Sequence, residues 1–164
     1  MPTRTLGALC LLTVLTPLLL LGSSATVRAA GVPPLVGAWI VTVTPTPGPT
    51  APPPSTELTT FTRDGGVLNS NAPVTAAFPA LSTGHGVWVR EDARTFAVTF
   101  VHLLFDATGT GVGSVKVLAT VTVDETGAVL SGVARADVFD PTGTLLFSNP
   151  ATVQATRIVI ERLP

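Results

Sequence analysis

Three short turns of one chemistry punctuate the second half of this chain: Asp106-Ala107-Thr108-Gly109, Asp124-Glu125-Thr126-Gly127 and Asp140-Pro141-Thr142-Gly143. Aspartate at the first position accepts hydrogen bonds from the backbone N–H groups that follow it, and glycine at the fourth supplies the positive φ that lets a strand turn back. Between these turns the side chains alternate apolar and polar, in TFAVTFVHLLF, VGSVKVLATVTV and AVLSGVARADVF. Period two belongs to a strand with one buried face, and the turns have hairpin length. No window carries a helical stripe. The three aspartates could also be read as calcium ligands, but successive hairpin turns lie at opposite ends of a meander, so they cannot meet at one ion.

Upstream, the same pattern gives a first strand over Val36–Thr44, then TELTTFT, VLNS and GVWVR, while ATVQATRIVIERL closes the chain. Between the first two strands, residues 45–55 read PTPGPTAPPPS, a proline-rich loop that cannot donate to a ladder and is expected to run extended over the surface. A longer loop passes Pro73 and Pro79. Eight antiparallel strands in up-and-down order can close into a barrel whose interior either fills with side chains or holds one small ligand.

Pairing the strands through their turns tests whether one face is consistently apolar. With Leu104 opposite Gly113, one face carries Phe96, Val98, Phe100, His102 and Leu104, then Val115, Val117, Ala119, Val121 and Val123. The next turn adds Leu130, Gly132, Ala134, Ala136 and Val138. The other face receives Ser114, Lys116, Thr120, Thr122, Ser131, Arg135 and Asp137. Three strands therefore agree on which way is inward. The inward residues of two of them are small. This leaves either a modest apolar cavity, the expectation adopted here, or a solid core in which Phe61, Phe78, Phe96, Phe100 and Trp88 cross the lumen.

Residues 1–30 have Arg4 ahead of a leucine-rich run and small residues at Val27 and Ala29, which is the pattern of a secretory signal peptide cut after Ala29 or Ala30. An uncleaved anchor is the alternative, but Pro17 leaves the run short for a span of ~20 residues. The expected mature chain, 31–164, is one domain exported from the cytoplasm, with no stable membrane anchor. Its seven basic and ten acidic side chains give a net charge of −3. With a single lysine, Lys116, and no basic run, it has no footprint for nucleic acid. Cys10 leaves with the signal, so neither a disulfide nor thiolate metal capture is available, and no cofactor is expected. A domain of this length can bury a self-sufficient core.

If the strands alternate in direction, the first begins at the end where the last finishes, making Trp39 and Arg157 neighbours. Here the chain resembles the calycin superfamily, lipocalins and their relatives, in which Gly-x-Trp on the first strand lies against an arginine or lysine from the last. Gly37-Ala38-Trp39 and the ATRI around Arg157 carry the resemblance. It implies that Arg157 stacks on the indole and ties one end of the barrel shut. Unlike lipocalins, the chain has no disulfide and no evident helix before its last strand. Allene-oxide-cyclase-like or dirigent-like barrels are neighbouring types that also take apolar small molecules.

The remaining chemistry centres on His85 and His102. Pairing His85 with Phe100 would put His102 one diagonal step away, giving a histidine pair at the open mouth that could hold a polar head group, a haem iron or a metal. The plainer reading is a loop-tolerant His85 and a partly buried His102 bonded to a neighbour, since two histidines without a third ligand make a poor metal site. No serine has a nucleophile-elbow context, and Glu91-Asp92 lie in a hairpin tip too exposed to shift pKa values for acid–base work.

The expected function is to hold an apolar or amphipathic small molecule in the lumen, lined by His85, Phe96, Val98, Phe100, His102, Val115, Val117 and Ala134. The main alternative is a filled structural barrel that meets a partner or a second copy through Val101, Leu103, Phe105 and Phe139. An enzyme of the cyclase-like barrel type comes third.

Overall fold

The computed structural model describes residues 31–48, 53–71 and 80–163. The expected signal segment, the middle of the proline-rich loop and Phe78 lie outside the described residues. Among the described residues nine strands form: β1 (Gly37–Pro45), β2 (Ser55–Phe61), β3 (Gly66–Asn71), β4 (Ala80–Leu81), β5 (Gly84–Arg90), β6 (Thr95–Phe105), β7 (Gly111–Val123), β8 (Val129–Phe139) and β9 (Leu145–Arg157). All pairings are antiparallel. Eight of the strands close a barrel in the order β1-β2-β3-β5-β6-β7-β8-β9 and back to β1. The two-residue β4 lies outside that count, pairing with the far end of β6 where β5 has already stopped.

Closure offsets the register. The row leaving β9 at Arg157 runs through Trp39, Thr59, Asn69 and Gly84, crosses β6 at His102, opposite Gly84 by continuation of the His85–Val101 pairing, and passes Val115 and Val138. It re-enters β9 at Phe147, ten positions earlier. For eight strands that offset tilts each by about 40° to the barrel axis, the range in which side chains can fill the lumen or leave space for one small ligand.

The three aspartate turns form as their sequence implies. Asp106 Oδ1 accepts from the N–H groups of Thr108 and Thr110, both at 2.9 Å, and Asp140 Oδ1 accepts from Thr142 and Thr144 at 2.8 and 2.9 Å. Asp124 Oδ1 takes Ala128 and Val129 instead, at 3.0 and 3.1 Å. Gly109, Gly127 and Gly143 sit at φ 82°, 75° and 85°.

The last strand differs from expectation at both ends. It starts at Leu145 rather than Ala151 and stops at Arg157, leaving Ile158–Leu163 outside the sheet and exposed. Pro150 hid its first half. Proline is tolerated there because the β1 ladder ends at the Pro45–Ala151 pair and Pro150 itself contributes only its carbonyl to that side, accepting from Thr46 N–H at 2.8 Å.

The core fills the end where β1 begins, called here the closed end. Leu35, Trp39, Phe61, Val67, Trp88, Phe96, Val121, Val123 and Leu130 are buried there, each stabilising the fold by about 1.5–3 kcal/mol through lost apolar exposure. Trp88 meets Phe96 edge to face at 5.5 Å and donates its indole N–H to the Thr62 carbonyl at 3.0 Å.

Trp39 and Arg157 are cross-strand partners, with the guanidinium carbon 4.2 Å from the indole centroid. Arg157 also donates from Nε to the Gly127 carbonyl at 2.6 Å, from Nη1 to Val36 at 2.7 Å and from Nη2 to Pro34. One side chain thus binds the segment before β1, the β7–β8 turn and the first strand's indole. Burial presses its pKa down from the ordinary arginine value. Trp39 in turn donates to Leu35 O at 2.9 Å. Gly37 is required beside them: its φ is 137°, and a Cβ there would stand 2.5 Å from Arg157 Nη1.

Candidate functional site

At the opposite end the lumen changes character. Inward residues of β7 and β8, namely Val115, Val117, Ala119, Ala134, Ala136 and Val138, face a closed barrel's interior and yet are only half-buried. Phe147, on β9 in the same row as Val115 and Val138, is 52 % exposed. Facing strands in a dry core would cover such positions as completely as they cover Val121 and Val123 below. The small side chains that sequence alternation places on this wall thus border space that the chain's own described residues do not fill.

Across from that wall the inner face is polar. Asn69 on β3 is buried, and its Nδ2 donates to Thr59 Oγ1 at 2.9 Å and to Glu57 Oε2 at 3.0 Å. All three residues alternate inward with Phe61 and Val67. Sequence reading did not single out this trio. TELTTF and VLNS carry a visible period of two, but their inward set mixes Glu57, Thr59 and Asn69 with aromatic and aliphatic residues, so apolarity alone assigns no face.

His102 is held between the two walls. It is 2 % exposed, points inward and presents its ring edge to Phe100 at 5.4 Å. Ser82, just after β4, fixes it: the Ser82 carbonyl receives His102 Nδ1 at 2.8 Å, while Leu103 N–H donates to Ser82 Oγ at 2.9 Å and Ser82 N–H to the Leu103 carbonyl at 3.0 Å. A ring nitrogen facing a carbonyl oxygen must carry the proton, so in the neutral ring Nε2 holds the lone pair.

The expected histidine pair does not form. His85 lies opposite Val101 rather than Phe100, is exposed on the outer face, and so is separated from the inward His102 by the sheet itself. The cause is a one-residue irregularity at the hairpin tip, where the N–H groups of Glu91 and Asp92 both donate to the Thr95 carbonyl, at 3.0 and 3.1 Å. It brings Gly86 opposite Phe100. Any Cβ at Gly86 would collide with Thr99 O and the Phe100 backbone, so glycine suits that position. A slip of one residue exchanges the faces of a strand, and His85 therefore does not line the lumen.

The other expected lining residues divide by height. Phe96, Val98 and Phe100 are buried in or next to the core, whereas Val115, Val117 and Ala134 belong to the half-buried upper wall. No group of three or more metal-ligating side chains occurs among the described residues. On the outer face Asp137 accepts from Ser148 Oγ at 2.6 Å and pairs with Arg135 at 2.9 Å, and these partners hold its carboxyl below the usual range, the Ser148 hydroxyl foremost. Lys116 lies over the Phe139 ring at 5.5 Å. These contacts tie outer strands together and bound no recess.

The architecture defines a class, a closed eight-stranded antiparallel β-barrel consistent with a calycin-like fold, with a packed closed end and an inner wall of mixed character at the other. Comparison with protein-family models, with curated proteins and with solved structures finds no match.

Proposed function

We propose that this protein binds an apolar or amphipathic small molecule in the open half of its lumen, and that it is an exported member of the calycin-like barrels. The observation that carries the reading is the incomplete burial of Val115, Val117, Ala119, Ala134, Ala136 and Val138 on the inner face of a closed barrel. Apolar surface lining a concave wall beside a few fixed polar groups is how small-molecule sites are commonly built. Trp39 and Arg157 keep the far end shut, so a ligand would enter beside Glu57 and Phe147. Export rests on the pattern of residues 1–30.

Native mass spectrometry of the protein purified from its own host, with a matched denatured spectrum, tests the reading. A mass excess lost on denaturation supports it. A bare mass, together with no binding of fatty alcohols, fatty acids, haem or apolar dyes, overturns it.

A second reading has its own support. Leu68, Val87, Val89, Val101 and Leu103 are exposed on three neighbouring strands, β3, β5 and β6, with Leu103 at 53 %. Of the four outward residues expected to meet a partner, Val101 and Leu103 belong to this patch, while Phe139 is covered by Lys116. A surface of that kind serves association. A concentration-dependent dimer that Val87→Lys abolishes would favour it.

A further inference from the structure

One inward side chain breaks the apolar wall of the open half. The ladder sets Asn149 of β9 opposite Ala136, with Ala134 and Val138 on its diagonals and Phe147 and Ala151 two positions away along the strand. Residues directly opposite in an antiparallel pair share a face, so Asn149 points into the lumen as Ala136 does. Above Arg157 it is the single polar side chain on the inner face of β7, β8 and β9 among the described residues. Asparagine is depleted in strands, and period two reserves this position for an apolar residue. Asn149 is half-buried, and its side-chain amide makes no hydrogen bond to any described residue. No fully buried side-chain nitrogen or oxygen among the described residues lacks a partner, so the amide borders open space and not packed atoms. That space is the lumen: the flanking alanines are short and half-buried, and the β1 ladder stops at Pro45–Ala151 before it reaches Asn149.

We infer that Asn149 is the head-group contact of the lumen, and that the ligand it fits is an apolar molecule ending in a carboxamide, either a primary amide or a lactam; this rests on the lumen-binding reading above. The asparagine amide donates from Nδ2 and accepts at Oδ1, side by side. A primary amide or lactam presents the matching pair, one C=O beside one N–H, and makes both hydrogen bonds at once. A ketone or an ether can only accept, which leaves Oδ1 without a donor. A carboxylate likewise brings no donor, and it meets no cationic side chain on this stretch of wall, so it would shed water without gaining a counter-charge. Ala136 and Val117 continue the row inward from Asn149 and suit a hydrocarbon body.

The test is displacement of an apolar naphthylamine dye by two probes of one shape, octanamide and nonan-2-one, which differ only by NH2 against CH3. The two are desolvated at different cost, so each is compared between proteins and not with the other. Asn149→Ala should weaken octanamide about tenfold, the loss of two neutral hydrogen bonds in a partly wet site, and should change nonan-2-one by less than about twofold. Thermal melting accompanies the variant. If the alanine protein does not fold, Asn149→Asp, which keeps the shape but cannot donate, should show the same selective loss. Octanamide binding that is unchanged, or that weakens in step with the ketone, overturns the head-group contact and leaves the lumen reading intact, as does a bound dye that neither probe displaces. No binding of the dye or of either probe overturns both.

Discussion

Replacing Arg157 by alanine removes a side chain that serves three backbone carbonyls and an indole at once, those of Pro34, Val36 and Gly127 and that of Trp39. A hydrogen bond from a charged donor contributes about 1.5–3 kcal/mol when buried and less where water can replace it, as it can here in part. The guanidinium on the indole face adds about 1 kcal/mol. Counting roughly 1 kcal/mol for each half-solvated carbonyl contact, the loss comes to about 4 kcal/mol, a large fraction of the ~5–15 kcal/mol that holds a domain folded. At roughly 4 °C per kcal/mol for a domain of this size, melting should fall by about 15 °C. Urea unfolding followed by tryptophan fluorescence should show a lower midpoint with an unchanged slope. Arg157→Lys keeps one point charge over Trp39 but cannot reach three carbonyls, so it should lose about half as much. A loss below ~1 kcal/mol for the alanine variant would refute the view that this side chain closes the barrel end.

Gly37→Ala should cost about 2–3 kcal/mol, since it combines a positive φ with a Cβ against the guanidinium; a melting curve matching the unmodified protein would contradict that. Asn69→Leu should cost about 2 kcal/mol in urea unfolding because Glu57 and Thr59 lose a shared donor inside the barrel, and no change would mean the trio contributes nothing to the fold. The carboxyls of Asp106, Asp124 and Asp140 are held below their ordinary pKa, chiefly by the hydroxyls of Thr108, Thr126 and Thr142 and then by backbone N–H groups. A depressed folded pKa means stability that is fully present above about pH 4 and lost as pH falls through the lower folded values. Replacing the three aspartates by asparagine should therefore flatten the acid limb of a stability-against-pH curve, whereas an unchanged limb would show that other groups set it.

The barrel was legible where sequence carries a one-sided pattern. From β6 to β8 the faces alternate up to the irregularity after Leu104 and the turns fix their own geometry, so Leu104 opposite Gly113 and the shared inward face of Val121 and Gly132 were both readable. Legibility failed at three places, each for a local physical reason. The hairpin after Arg90 contains an extra residue in its hydrogen bonding, which moved His85 to the outer face. Pro150 made the first half of β9 look like a loop. The polar inner wall of Glu57, Thr59 and Asn69 was invisible because polar residues satisfied by one another inside a barrel have the same spacing as polar residues facing water. The β2–β3 pairing that builds this wall follows from the Arg63-Asp64-Gly65-Gly66 turn, but the Ser82 anchor of His102 depends on the pairing between β4 and β6, which no turn motif announces.

The central claim is that the open half of the lumen receives a ligand, and amide NMR of the labelled protein titrated with decanol tests it most directly. The account predicts shifts concentrated at Val115, Val117, Ala119, Ala134, Ala136 and Val138, with the outer residues Ile40, Val129 and Gln154 unmoved. Shifts confined to the outer face around Leu68, Val87 and Leu103, or none at saturating alcohol, would contradict it.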